Sequence, residues 1–574
     1  MRVFAAVLLG ISLTASPLLA RAAGETGKEE TPVAANSAAA LPDKPVAVKP
    51  EASAIESEMQ DLRSLVEEQR AELEAQRAAL KAEQLKMKAL EEKFGAAASE
   101  PLATPAAASP AISAATPITS IAATSAAPMA NPAQKGDDEV SPLQFRIGSA
   151  YITPVGFMDF TGVFRSHDGG SGIGTNFAGI PYGNAAFQNH LSELRMSMQN
   201  SRIGFRVDAM IKGAHVIGYM ESDFLGNNPG NVSVSSNSNT LRSRLYWVDV
   251  QKDKWEMLGG QTWSLITPGR TGISPLPGNI FFSQDIDVNY QAGLVWGRIP
   301  ELRFVVRPTD KVAFAVALDS PEQYTGGSAG GSTITYPSAL GALGGTQLNT
   351  GGSTLGTPNV APDFIAKLAF DPSSKFHVEV GGLVREFKVW NSSPSPSGTT
   401  FSKTGAGGFL NLNVEAFKGF RLLTNNFWAD GGGRYIFGQV PDLIVRANDS
   451  LSPIKAASTV SGFEFTHHNT MLYAYYGGIY VYRNTALDVN GTTPIGYGFA
   501  TSSNGQNRAI QEETIGFNQT IWKDGKYGAV NFMGQYSYLN RNPWATQNPS
   551  DAHINMVFLN LRYTLPGSAP TLGK

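Results

Sequence analysis

From residue 140 onward, apolar and polar residues alternate in segments of about ten, separated by clusters of Gly, Asn, Ser, Asp and Pro. Alternation with period two puts successive side chains on opposite faces, so each segment predicts a strand with one apolar and one polar face. In 201–210, Ile203, Phe205, Val207 and Ala209 share one face, and Arg202, Gly204, Arg206 and Asp208 share the other. In 302–307, Leu302, Phe304 and Val306 oppose a set that contains Arg303 and Arg307. In 408–417, Leu410, Leu412, Val414 and Ala416 oppose Phe409, Asn411, Asn413 and Glu415. Segments 154–165, 364–371, 376–390, 471–483, 513–522, 528–540 and 554–564 read as strands too.

The first 140 residues follow other rules. Arg2 and an apolar run from Val3 to Leu13 precede Ala20-Arg21-Ala22, a small-x-small cleavage pattern, so 1–22 reads as a signal peptide. The run is too short to span a bilayer, and no later stretch offers the roughly 20 apolar residues a spanning helix needs. Residues 23–54 and 95–140, rich in Ala, Pro, Ser and Thr, bury too little apolar surface to offset ordering and read as disordered linkers. Between them, 55–94 lacks Pro and Gly and carries a heptad stripe: Met59, Val66, Leu73, Leu80, Met87 and Phe94 at position a. Position d holds Ile55, Leu62, Gln69, Gln76, Glu83 and Leu90, a partly polar seam of the kind that sets register and oligomer state. Glu72 with Arg77 and Lys86 with Glu91 form g-to-e pairs that suit a parallel coiled coil; a single solvated helix is the alternative. At about 1.5 Å per residue such a rod reaches roughly 60 Å.

Composition divides the chain at the same place. Only Phe4 and Phe94 among the aromatics, and five of 60 glycines, precede residue 141. The first 140 residues hold 13 Lys and Arg against 19 Asp and Glu; the rest holds 32 against 29. Two architectures in one chain follow, an acidic leader and a body at 141–574. With no cysteine, neither disulfides nor thiolate metal sites are available.

Alternation alone fits a soluble sheet with one wet face as well as a membrane barrel with lipid outside and a polar lumen. The signal peptide favours the barrel, with which a mean hydropathy of −0.13 is compatible. Tryptophans 247, 255, 263, 390, 428, 522 and 544, at segment ends, fit two interfacial girdles. About 425 residues, at roughly 24 to 28 per strand and connection, predict 16–18 antiparallel strands, wide enough for an aqueous channel. Connections 225–240, 266–290, 324–362, 391–407 and 484–510 are long and suit one rim; 371–374 and 523–526 are short and suit the other.

Arginine carries the candidate chemistry. Arg202 with Arg206, Arg242 with Arg244, and Arg303 with Arg307 lie at even spacing, each pair on one face. Facing lipid, each would cost roughly 2 to 4 kcal/mol near the midplane, so they are expected to line the lumen. Asp285 and Asp287, in the long 266–290 connection, face them across a constriction if that connection folds inward. His467-His468 is a poor metal site, because adjacent strand residues point apart. Gly405-Ala406-Gly407-Gly408 lacks the Lys and Ser/Thr of a phosphate loop. No Ser, His and acid set stands out, so neither catalysis nor a cofactor is expected.

The layout resembles the DcaP-like trimeric porins, and shares its plan with the phosphate-selective porins. The carrying residues are the heptads from Ile55 to Phe94, Ser201-Arg202-Ile203-Gly204-Phe205, and Leu258-Gly259-Gly260-Gln261-Thr262-Trp263-Ser264. The resemblance covers most of the chain in layout and short stretches in letters. It implies an outer-membrane homotrimer with one pore per subunit, passive diffusion of small polar solutes, and a preference for anions or dicarboxylates. Expected partners are outer-membrane lipid and lipopolysaccharide, small anionic solutes and, through the coiled coil, peptidoglycan; nucleic acid is not expected. One departure is that Tyr563 is followed by eleven more residues, where many such barrels end on an aromatic. The competing function is an envelope tether or adhesin with the barrel as anchor, which would need a large surface passenger.

Overall fold

A computed structural model describes residues 142–566 except 186, 228–237, 281–283, 328–330, 352–356, 359, 393–396 and 547–548. The signal peptide, both linkers and the coiled coil lie outside the described residues.

Sixteen antiparallel strands close into one barrel. They are β1 (Ala150–Arg165), β2 (Glu193–Ser197, resuming at Arg202–Ile211), β3 (Ala214–Asp223), β4 (Arg242–Lys252), β5 (Trp255–Trp263) and β6 (Arg298–Thr309). There follow β7 (Val312–Asp319), β8 (Asp363–Ser373), β9 (Phe376–Asn391), β10 (Thr399–Phe417) and β11 (Phe420–Asp430). The rest are β12 (Lys455–His467), β13 (Thr470–Val481), β14 (Asn507–Asp524), β15 (Gly528–Pro543) and β16 (Ala552–Thr564). Each pairs with its sequence neighbour, and β16 returns to β1, Phe157 opposite Thr564 and Arg165 opposite Met556. Closure leaves no sheet edge among these strands, which is what a backbone inside hydrocarbon requires.

The alternation sorts by environment as the pattern demands. Leu302, Phe304, Leu368, Val380, Leu410, Val557, Leu559 and Leu561 are exposed on the outside, while their neighbours Arg303, Lys367, Glu379, Asn411, Phe558 and Asn560 are buried within. An apolar exterior over a hydrogen-bonded interior is a lipid-facing barrel wall. Trp255 and Trp522 stand outside at one rim, Trp390 and Trp428 at the other. Trp247 and Trp263, expected in the girdles, are instead buried inside. A register shift between Glu221 and Ser222 of β3, opposite Arg244, changes the phase of β4: Arg244 and Leu245 are both buried, so Trp247 and Asp249 then point inward.

The two rims differ. Strands are joined at one rim by turns of two or three residues, 212–213, 253–254, 310–311, 374–375, 418–419, 468–469 and 525–527, and β1 begins and β16 ends there. Connections at the other rim include 166–192, 264–297, 320–362, 431–454 and 482–506. Residues 399–407, expected within a loop, instead extend β10, pairing Thr399–Gly407 with Leu383–Asn391. The long connections pack on one another around Phe177, Ile266, Leu343, Ile436, Leu443, Ile444 and Tyr497, an apolar cluster continuous with Leu383, Phe387 and Val389 of β9.

Candidate functional site

The connection 264–297, here the strap, leaves β5 and folds inside the barrel. It has little regular structure, so its buried amides need acceptors from elsewhere. The wall supplies them as side chains. Leu265 N–H donates to Glu301 of β6 (3.2 Å), Gly269 N–H to Glu379 of β9 (3.1 Å) and Gly272 N–H to Asp371 of β8 (3.0 Å). Gln284 N–H donates to the Tyr475 hydroxyl of β13 (3.0 Å), Ile286 N–H to Gln535 of β15 (2.6 Å), Ala292 N–H to Glu512 of β14 (2.8 Å) and Val295 N–H to Asn425 of β11 (3.2 Å). Arg270 forks onto Glu464 of β12 at 3.0 and 2.7 Å, while its carbonyl accepts from Asn413 of β10 (3.2 Å). Ser264 Oγ donates to Asp319 of β7. The strap is thus fastened to every strand from β6 to β15.

Against β2 to β5 the strap presents aromatic rings to arginines. Tyr290 Oη lies 3.4 Å from Arg202 and 3.5 Å from Arg244. Arg298, where the strap enters β6, sits 5.4 Å from the Trp263 ring centroid and 5.5 Å from that of Trp296; Arg244 is 5.7 Å from Trp263. Such contacts hold a guanidinium where few waters reach it.

All six arginines singled out from the sequence lie on the inner face, and each is paired with an acid. Arg202 meets Glu221 at 3.6 Å, Arg206 meets Asp208 at 2.8 Å, and Arg242 meets Asp223 at 2.8 Å. Arg244 bridges Glu221 (3.0 Å) and Asp223 (2.6 Å). Arg303 pairs with Glu301 and donates to the Trp263 carbonyl, and Arg307 meets Glu256 at 2.6 Å and the Ile273 carbonyl at 2.7 Å. Asp285 and Asp287 lie in the inward-folded strap but stand apart from these arginines. Asp287 accepts from Thr175 N–H (3.1 Å) of connection 166–192 and from Asn289 N–H (2.8 Å). Burial pushes its carboxyl up, against these hydrogen bonds and Arg165, which draw it down. Asp285 neighbours Tyr473, Tyr475 and Glu512.

Residues not singled out from the sequence have equal standing in the interior. Lys367 meets Glu379 at 3.2 Å; Arg385 bridges Asp363 (2.9 Å) and Asp442 (2.7 Å), tying connection 431–454 to β8 and β9. Arg562 and Asp159 (2.7 Å) close the barrel seam from inside. His377, Glu379 and Arg385 share an even spacing in segment 376–390, and that spacing was the available signal. His467 ends β12 and His468 lies in the following turn, and among the described residues no His, Asp and Glu group is arranged to hold a metal.

The crystal structure of the outer membrane channel DcaP of Acinetobacter baumannii matches 73% of this chain and 99% of that one, at 16% identity and a TM-score of 0.54. This chain has the fold of the DcaP channel. An anion-selective porin from Comamonas acidovorans matches 72% of this chain and all of that one at 10% identity, with a TM-score of 0.41. Neither a protein-family profile nor a curated protein matches the chain. Within this fold the features of interest are the strap's fastenings and the paired arginines.

Proposed function

We propose that this chain is an outer-membrane porin that passes small polar solutes by diffusion. The observation that carries this reading is a closed, lipid-facing barrel whose interior is charged, hydrogen-bonded and crossed by a strap fastened to ten wall strands. The outer membrane follows from the kind of barrel this is, and the short-turn rim, where β1 begins, is assigned to the periplasm together with the leader. Residues 1–22 are then the signal peptide, 55–94 the coiled coil, and 23–54 and 95–140 the tethers.

Selectivity belongs to the same proposal. Arg202, Arg206, Arg242, Arg244, Arg303 and Arg307 line the solute path, with Asp285 and Asp287 in the strap. Arg202, Arg206, Arg242 and Arg307 are partly exposed to that path, whereas Arg244, Arg303 and Asp287 are buried and act on it through their charge. Because each arginine has an acid beside it, the wall offers alternating charge, and the anion or carboxylate preference is modest. Arg298 tips the balance: no carboxylate partners it directly among the described residues, and its planar fork suits a carboxylate. The oligomer is a homotrimer.

Liposome swelling tests the reading. Proteoliposomes in an isosmotic small sugar or amino acid are expected to swell, and to do so more slowly as solute size increases. Swelling no faster than in protein-free vesicles would reject a diffusion channel.

A further inference from the structure

Lysine is distributed over the barrel in a way that solute passage does not use. Of the twelve lysines among the described residues, eight lie in or beside the short turns: Lys212, Lys252, Lys254, Lys311, Lys375, Lys418, Lys523 and Lys526. Six of the seven turns carry one or two, and the seventh carries His467 and His468. The long connections 166–192, 224–241, 264–297, 320–362, 431–454 and 482–506 contain no lysine at all. All eight are exposed, so they stand around the circumference of one rim. The acids beside them, Asp253, Asp310, Asp371, Glu415 and Asp524, are fewer.

The collar is continuous with the apolar band. Lys254 precedes Trp255, Lys523 follows Trp522, Lys418 follows Phe417 and Lys526 precedes Tyr527, and each of those aromatic rings is exposed on the barrel exterior. The Lys526 ammonium lies 5.3 Å from the Tyr527 ring centroid. Aromatic rings at the hydrocarbon boundary with flexible cations just beyond is the arrangement that seats a barrel rim among headgroups, because the ammonium reaches phosphate while its methylenes stay on apolar surface. A ring of cations attracts an anionic leaflet over a zwitterionic one, by about fivefold in affinity per lysine near the surface.

We infer that the short-turn rim is a docking collar for anionic phospholipid headgroups, of the phosphatidylglycerol class, in the leaflet it meets. The inference rests on the barrel being lipid-embedded, but not on its passing solutes. At the opposite rim lysine is sparse: Lys388, Lys403 and Lys455 are the only lysines at strand ends among the described residues, and the exposed arginines Arg446 and Arg483 lie out in the long connections.

The test uses the full chain in vesicles of equal phosphatidylcholine and phosphatidylglycerol, extracted as small lipid discs whose retained lipid is counted. Phosphatidylglycerol is expected to be enriched at least about threefold over the bulk at low salt and to fall to the bulk ratio near 1 M salt, where screening shortens to about 3 Å. Replacing Lys212, Lys311, Lys375, Lys418 and Lys526 with Gln is expected to abolish the enrichment. Replacing Lys388, Lys403 and Lys455 with Gln is expected to leave it intact. Unheated gel migration identifies folded barrel in each variant, so a protein that fails to embed is separated from one that embeds without preference. A bulk ratio around the wild-type protein, or equal loss in both variants, would overturn the inference. So would an unchanged ratio accompanied by faster proteolysis within the first 140 residues, since the collar would then be holding the acidic leader.

Discussion

Gly477 marks a close approach of strap and wall. A Cβ there would stand 2.0 Å from the Ala292 carbonyl oxygen, and Gly293, at φ +89°, lies against the Thr459 and Gly478 carbonyls. Both positions need glycine, one for space and one for backbone conformation. Gly477→Val is therefore expected to lift the strap at 291–293 while the barrel still forms, read as at least about tenfold faster amide exchange at Ala292; unchanged exchange would mean the strap is not seated on β13. Asp488 makes a pH argument. Its carboxylate accepts from Ser338 N–H (3.1 Å) and Val489 N–H (2.8 Å), and these bonds hold it below the usual aspartate value. With the folded value depressed, the contact between connections 320–362 and 482–506 is at full strength above about pH 4, the ordinary aspartate range, and is lost as pH falls through the lower folded value. Ser338 amide exchange should follow that course, and Asp488→Asn should remove the acid dependence. For the arginines, replacing Arg202, Arg206, Arg303 and Arg307 with Gln leaves Glu221, Asp208, Glu301 and Glu256 without those partners. The reversal potential is expected to move toward cations by a sizeable part of the ~59 mV available in a tenfold gradient. No shift would remove these side chains from the solute path.

At the scale of elements, the strap and the strands are held by different forces. The strap depends on individual acceptors. Glu512→Ala leaves the Ala292 N–H without its acceptor, a loss of about 1 to 3 kcal/mol, and local protease sensitivity at 284–295 should increase with little change in barrel stability. The strands depend on facing. Leu302→Arg puts a charge into lipid and should cost about 2 to 4 kcal/mol and lower the folded yield, whereas Leu302→Val should be nearly silent. Facing was the part legible in sequence: Leu302 against Arg303 and Leu410 against Asn411 alternate without interruption. Strand β7 was harder to read, because Ala313, Ala315 and Ala317 are inward yet apolar, so its two faces look alike. The start of β10 was hidden by Thr, Ser and Gly, which read as loop but pair with β9 as far as Asn391. Trp247 was misplaced because a bulge in one strand pair leaves no mark in the letters. The sequence left the inward fold of the strap as a condition and gave no sign of the side chains that fasten it, since Glu379, Glu464 and Glu512 lie far from it in sequence and meet it only across the closed barrel.

For the molecule as a whole, the barrel closes from inside and out. Asp159 and Arg562 join β1 to β16 across the seam, and the exposed aliphatic band holds the closed sheet in hydrocarbon. The folded barrel should therefore resist detergent until heated, and the proposed homotrimer predicts that it migrates as about three chains. The resemblance to DcaP in fold comes with little identity of sequence, so the function has to be earned by this chain's own interior. The most direct measurement is the single-channel conductance of the purified, full-length, heat-modifiable protein in a planar bilayer. Discrete, stable conductance steps are expected, and the absence of any conductance from protein shown to be folded and inserted would contradict the porin account.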